Sequence, residues 1–192
     1  MRSTILAAIA AVTFGNAAAT HAAVLNWDFT LAPEASGATG TGNATASFND
    51  ATNFFSYNVT FSGLSGNTTV SHFHCCTASP GTGTAGVAVD APSLLGFPVG
   101  VKAGSFAGSY DLTDANSFSS AFVTASGGTA AGATAAFLAG LNAGSAYLNI
   151  HSSTFPGGEI RGFAQRVPEP GTLALLGLGL AALGVSRRRK LN

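Results

Sequence analysis

The residues that could do chemistry are few and closely grouped. Ser71-His72-Phe73-His74 places two imidazoles at i and i+2. On a β-strand that spacing puts both on one face, about 6.6–6.8 Å apart along the chain, where they can converge on one metal ion ligated at about 2.0–2.1 Å. Alternation puts Val70 on the histidine face and Phe73 on the other. Tyr147-Leu148-Asn149-Ile150-His151 places Tyr147, Asn149 and His151 on one face of a second strand, with Leu148 and Ile150 opposite. The fourth histidine, His21, lies in or beside a cleavable leader. His72, His74 and His151 are therefore the candidate ligands, and zinc or copper are the ions that suit imidazole. They form a three-nitrogen site if the two strands are neighbours. The competing reading is three hydrogen-bonded structural histidines.

Cys75-Cys76 follows directly. Two cysteines in an exported protein suggest oxidation. Adjacent Cα atoms are about 3.80 Å apart across a trans peptide, against about 4.4–6.8 Å in a disulfide, so a vicinal bridge needs a distorted or cis peptide. Intermolecular bridging, metal ligation and free thiols are the alternatives, and Cys75 and Cys76 stand as redox or extra-ligand candidates. Cys76 falls on the His72/His74 face but about 13 Å from His72 on a straight strand, so only a bend after His74 brings it in. Phe155-Pro156-Gly157-Gly158-Glu159-Ile160-Arg161-Gly162 reads as a turn and then an edge strand, with Glu159 and Arg161 as a local charge pair on one face. No Ser/His/Asp or paired-carboxylate arrangement is present. The glycine-rich tract Gly37 to Gly42 lacks the lysine of a phosphate loop. The chain is expected not to be an enzyme.

These residues sit on segments that read mostly as strands. Leu25, Trp27, Phe29 and Leu31 alternate with polar residues over Val24–Leu31, as do Phe55, Tyr57, Val59 and Phe61 farther on. Asn43–Asn49, Thr68–His74, Gly86–Asp90, Gly104–Leu112, Ser117–Val123, Ala146–His151 and Glu159–Gln165 are further strand candidates. Ala131–Leu141 is the one internal helix candidate, ending near Gly144. Many short strands with regular turn signals predict an all-β sandwich or Greek-key barrel.

Composition agrees. The 192 residues are 8% charged, carry no net charge and include 14 phenylalanines. Exposed helix faces are usually built from Lys, Glu and Arg, and disordered chains are poor in aromatics, so a helical protein and a disordered one are both disfavoured. The ends are set apart. Arg2 and the apolar run Ile5–Phe14, followed by Ala17-Ala18-Ala19 and Ala22-Ala23, read as a signal peptide. At the other end Val167-Pro168-Glu169-Pro170-Gly171 precedes an apolar stretch, Leu173–Val185, and the cluster Arg187-Arg188-Arg189-Lys190. Residues 172–186 fall short of the roughly 20 needed for a full span, which suits a transient, cleaved insertion. The expected division is 1–23 signal peptide, 24–166 β-domain and 167–192 sorting segment. Between Val24 and Arg166 three basic residues stand against seven acidic ones, a net charge of −4. Nucleic acid is excluded as a partner.

Two resemblances follow. The Val167-Pro168-Glu169-Pro170 motif, short apolar helix and terminal basic cluster resemble the PEP-CTERM sorting signal. That implies signal peptidase and exosortase as export partners, transient insertion of a short transmembrane helix through 172–186, a Gram-negative exopolysaccharide producer, and delivery to the cell surface or extracellular matrix. The strand around Tyr57, His72-Phe73-His74, and Tyr147 to Ser152 leading into Pro156-Gly157-Gly158-Glu159-Ile160-Arg161-Gly162 resemble the CHRD domain. That resemblance implies an immunoglobulin-like β-sandwich distantly similar to the copper/zinc superoxide dismutase barrel. It maps the family's histidine positions onto His72, His74 and His151. It carries no agreed catalytic activity. The expected function is a structural or binding protein of the surface or matrix, with exopolysaccharide or other matrix components as partners and zinc or copper as the candidate ion. The alternative is a superoxide-dismutase-like metalloenzyme. Its dinuclear site needs six histidines and an aspartate, against three histidines in the mature segment.

Overall fold

The computed structural model describes residues 23–89, 93–168, 176–183 and 187. The leader and its candidate cleavage sites up to Ala22, together with Asp90, Glu169, Pro170, Arg188, Arg189 and Lys190, lie outside the described residues.

Nine antiparallel strands build the domain: β1 Val24–Pro33, β2 Thr41–Asn49, β3 Phe54–Ser62, β4 Thr68–His74, β5 Val87–Val89, β6 Gly104–Asp111, β7 Tyr147–Ser152, β8 Ile160–Phe163 and β9 Gln165–Val167. The expected all-β class is what the chain adopts. The strands run in the order β5-β4-β7-β8-β1-β2-β3-β6, with β9 also on β1. The sheet curls over itself because β1 serves two layers. Its first eight residues pair with β2, and Ala32 and Pro33 pair with Arg161 and Ile160 of β8.

Period-2 alternation fills the space between the layers. Trp27, Phe29 and Leu31 from β1 and Phe55, Tyr57, Val59 and Phe61 from β3 are buried, while their polar alternates face out. From the opposite layer Phe73 of β4 meets Phe29, Phe55 and Tyr57 edge-on, with ring centroids 5.7, 5.2 and 5.6 Å apart, a geometry the ring quadrupoles favour. Helix α2, Ala130–Ala143, adds Phe137 to the same cluster at 5.2 Å from Phe55. Thr129 caps its start and Gly144, at φ +69°, ends it. This is the helix expected over Ala131–Leu141.

Two expected strands come out differently. Residues 117–123 form no strand: a 3-10 turn, Ala115–Ser117, leads into helix α1, Ser120–Ala125. Asp114 accepts from the Asn116 N–H and Ser119 from the Phe122 N–H. These caps satisfy the backbone locally and outcompete a sheet ladder, despite Phe118, Phe122 and Val123. Residues 159–165 break at Ala164, whose N–H donates to Ala146 O at 3.0 Å. Beyond it β9 returns to β1, setting Arg166 against Trp27. At the C-terminus a helix is described over 176–183. Among the described residues, none is long and apolar enough to cross a membrane.

Phe73→Ala is expected to lower the unfolding free energy by about 3–5 kcal/mol, since it empties the point where both layers and α2 meet. Urea unfolding of the variant against the parent chain measures this, and a change of less than about 1 kcal/mol would contradict the packing described.

Candidate metal centre

Strand parity turns β4 and β7 into two-sided elements. Phe73, Leu148 and Ile150 point into the core and are fully buried. His72, His74, Tyr147, Asn149 and His151 therefore stand on the outer face of the second layer. The two strands are hydrogen-bonded neighbours, with Val70 opposite His151, His72 opposite Asn149 and His74 opposite Tyr147. On the far side of β7, Arg161 of β8 lies opposite Asn149 and Phe163 opposite Tyr147.

The register brings the three expected histidines together. Ring centroids lie 5.6 Å apart for His72 and His74, 5.5 Å for His72 and His151, and 6.3 Å for His74 and His151. One nitrogen from each lies within 4.8 Å of the others. Donors around a tetrahedral zinc lie about 3.4 Å apart, so the three nitrogens would draw closer to share one ion.

The rings are oriented from behind. His74 Nδ1 bonds Ala85 O at 2.9 Å, and His151 Nδ1 bonds Pro156 O at 2.8 Å. A carbonyl only accepts, so Nδ1 carries the proton in each ring and the Nε2 lone pair is exposed to the site. Both Nε2 atoms are buried and, among the described residues, have no hydrogen-bond partner. This is the arrangement of metal-binding imidazoles, whose second nitrogen donates to a backbone carbonyl or carboxylate. Tyr147 stacks on His74 at 4.8 Å and 3°. Its Oη accepts the Ala85 N–H at 3.2 Å, so one loop residue fixes both rings.

Electrostatics keep His74 in ligand form. Burial lowers its pKa to about 4, helped by His72, His151 and Arg161 and opposed by the Ala85 hydrogen bond. It is a neutral imidazole at physiological pH.

Beside the imidazoles runs a chain of polar contacts. Arg161 pairs with Glu34 at 3.2 Å, donates to Gly83 O at 2.7 Å, and lies 5.4 Å from the Tyr147 and Phe163 ring centres. Glu34 accepts from Asn149 Nδ2. Burial raises the Glu34 pKa above its ordinary value, against the opposing pull of Asn149, Arg161 and His151. The expected Glu159–Arg161 pair is not formed. Glu159 is wholly buried and accepts from the Ser65 N–H at 2.5 Å and the Gly66 N–H at 3.4 Å. Burial works to raise its pKa, but the hydrogen bonds of Ser152, Ser65 and Gly66 hold it below the ordinary value. Neither Glu34 nor its partnership with Arg161 was expected. Glu34 lies 115 residues before Asn149, and no local pattern marks it.

The cysteines take one of the readings left open. Cys75 and Cys76 form a disulfide with each other across a cis peptide, which brings their Cα atoms to 3.0 Å. With both sulfurs bonded, neither is a thiolate ligand. The pair rests on α2 at Gly140, where a Cβ would overlap both Sγ atoms.

A family model for the CHRD domain matches residues 21–164. The chain belongs to the CHRD domain family. A second, for the PEP-CTERM protein-sorting motif, matches residues 166–190. The CHRD protein described here is thus exported and sorted to the cell surface of a Gram-negative bacterium by exosortase. No curated protein and no solved structure matches it. In this CHRD domain the three histidines come from β4 and β7, and the Pro156–Gly162 block contributes the Pro156 carbonyl and Arg161.

The lowered His74 pKa has a defined consequence for the metal-free protein. Between about 6.5 and about 4 the unfolded chain holds a proton on this residue that the folded chain does not. Stability is therefore unaffected above about pH 6.5 and is lost as pH falls through this window, by at most about 3 kcal/mol. Urea midpoints of metal-free protein between pH 7.5 and 4.5 should fall, and His74→Gln should flatten the fall. An equal slope in parent and variant would contradict it. The carboxylates held low, Glu159 and Asp111, weaken the fold only below their ordinary values of 4.5 and 3.8.

Proposed function

We propose that this exported protein is a non-enzymatic surface or matrix module whose CHRD domain holds one zinc or copper ion on His72, His74 and His151. What carries the reading is the pair of buried Nε2 atoms on His74 and His151, both aimed by backbone carbonyls. Three imidazoles bind the ion and leave a fourth position for water. The bound ion would tie β4 to β7 and hold the covering loop through Ala85. When bound, it supplies a Lewis-acidic, cross-linking centre. The chain's own part is to orient the rings and keep His74 unprotonated.

The proposed partners are signal peptidase and exosortase during export, with transient insertion through 172–186, and exopolysaccharide or other matrix components afterwards. In support of a neutral glycan partner, the outer face of the first layer presents Thr30, Asn43, Thr45, Asn58 and Thr60, all exposed, with Asp28 as the nearby charge.

Calorimetric titration of metal-free protein with zinc and with copper(II) tests the ion. Binding tighter than about 10 μM is expected, lost in His151→Ala. Failure of both ions to bind, or an unchanged affinity in the variant, would show the histidines to be structural. Metal-loaded protein is expected to be inactive in a superoxide dismutation assay. Intact mass of the native surface form should show loss of about the first 19–23 residues and of the C-terminal helix with its basic cluster. A mature form retaining Arg187 to Lys190 would contradict the sorting account.

A further inference from the structure

We propose that Asn149 is a positioning residue of the metal centre. Its Oδ1 accepts a hydrogen bond from the water that completes a four-coordinate divalent ion on His72, His74 and His151. This rests on the three-imidazole reading and adds to it a residue and an ion preference.

Asn149 is 2% exposed. Its Oδ1 is buried and, among the described residues, has no hydrogen-bond partner. Buried amide oxygens in folded proteins are almost always satisfied by protein, ordered water or an ion, so this one calls for a donor. Its place in the sheet indicates which. Asn149 lies between His72 and Arg161 in register, two residues from His151 and on the same outer face as the three imidazoles.

The amide cannot turn round. Nδ2 donates to Glu34 Oε1, and Glu34 is ion-paired with Arg161 at 3.2 Å. An ionised carboxylate only accepts, so it takes the NH2 end and leaves the oxygen end unengaged on the imidazole face. Gly158 makes the arrangement possible. At φ +127° it has a conformation that suits glycine, and a Cβ there would overlap both Glu34 Oε1 and Asn149 Nδ2. Arg161, Glu34 and Gly158 thus serve to hold one neutral acceptor beside the imidazoles.

A neutral acceptor suits a metal-bound water, which has hydrogens to donate. It gives nothing to an ion satisfied by three imidazoles alone. The centre therefore favours zinc(II), or cobalt(II) as its spectroscopic substitute, over copper(I).

The test uses the full chain, freed of metal and titrated with cobalt(II) while the visible d–d spectrum is recorded. Parent protein is expected to show a four-coordinate spectrum. Asn149→Leu should weaken binding about 10–100-fold and alter the band, as loss of an outer-shell partner does. Glu34→Leu should behave likewise. Glu34→Gln, whose amide oxygen still accepts from Asn149, should stay within about threefold of parent. If Asn149→Leu does not fold, Glu34→Leu against Glu34→Gln decides by the same readouts.

A folded Asn149→Leu with parent affinity and an unchanged band would overturn the role of Asn149. If His151→Ala then still abolished binding, the three-histidine reading would stand. A lower melting temperature with an unchanged band would mark Asn149 as merely structural and also overturn the proposal. Parent protein that binds no cobalt(II) would overturn both.

Discussion

The antiparallel register of β4 on β7 fixes the geometry of the site through the core residues that set it. Phe73 enters the aromatic cluster between the layers, and that single insertion fixes the parity of β4. His72 and His74 must then point outward together. On β7 the buried pair Leu148 and Ile150 does the same for Tyr147, Asn149 and His151. A slip of one residue would exchange the faces, burying imidazoles in the core and exposing phenylalanine. The core thus sets the geometry of the site, although no histidine belongs to it.

Parity alone places the rings on one face without choosing which nitrogen each presents. That choice comes from irregular chain packed over the sheet. The segment after β4 supplies Ala85 O, and the turn after β7 supplies Pro156 O. The vicinal disulfide marks where β4 gives way to the first of these loops, seated on Gly140 of α2. A helix on the inner side and a loop on the outer side are in this way tied to one point in the chain. Glu34, just beyond β1, and Arg161 on β8 then close the site laterally, at the place where β1 crosses from one layer to the other.

Much of this was legible in the sequence, because period-2 alternation is local. Leu25 to Leu31 and Phe55 to Phe61 read as strands, and the histidines could be assigned to faces from spacing alone. Long-range relations were not legible. Nothing near Glu34 announces Asn149. Glu159, two residues from Arg161, turns instead to backbone N–H groups of the β3–β4 loop. Residues 117–123 misled because aromatic and β-branched side chains signal strand, while the two caps that decide the matter are single polar residues at their edge. The state of Cys75 and Cys76 stayed open because local spacing does not choose between a vicinal bridge, which needs a distorted or cis peptide, and the alternatives; the chain forms the bridge.

Everything proposed for this face requires His72, His74 and His151 to converge on one ion. Anomalous diffraction from crystals grown with zinc and measured on both sides of its absorption edge tests this most directly. A single strong anomalous peak is expected on the outer face of the second layer, bounded by those three rings, with Asn149 beside it. A peak elsewhere on the protein, or none within ligating distance of the three imidazoles, would contradict it.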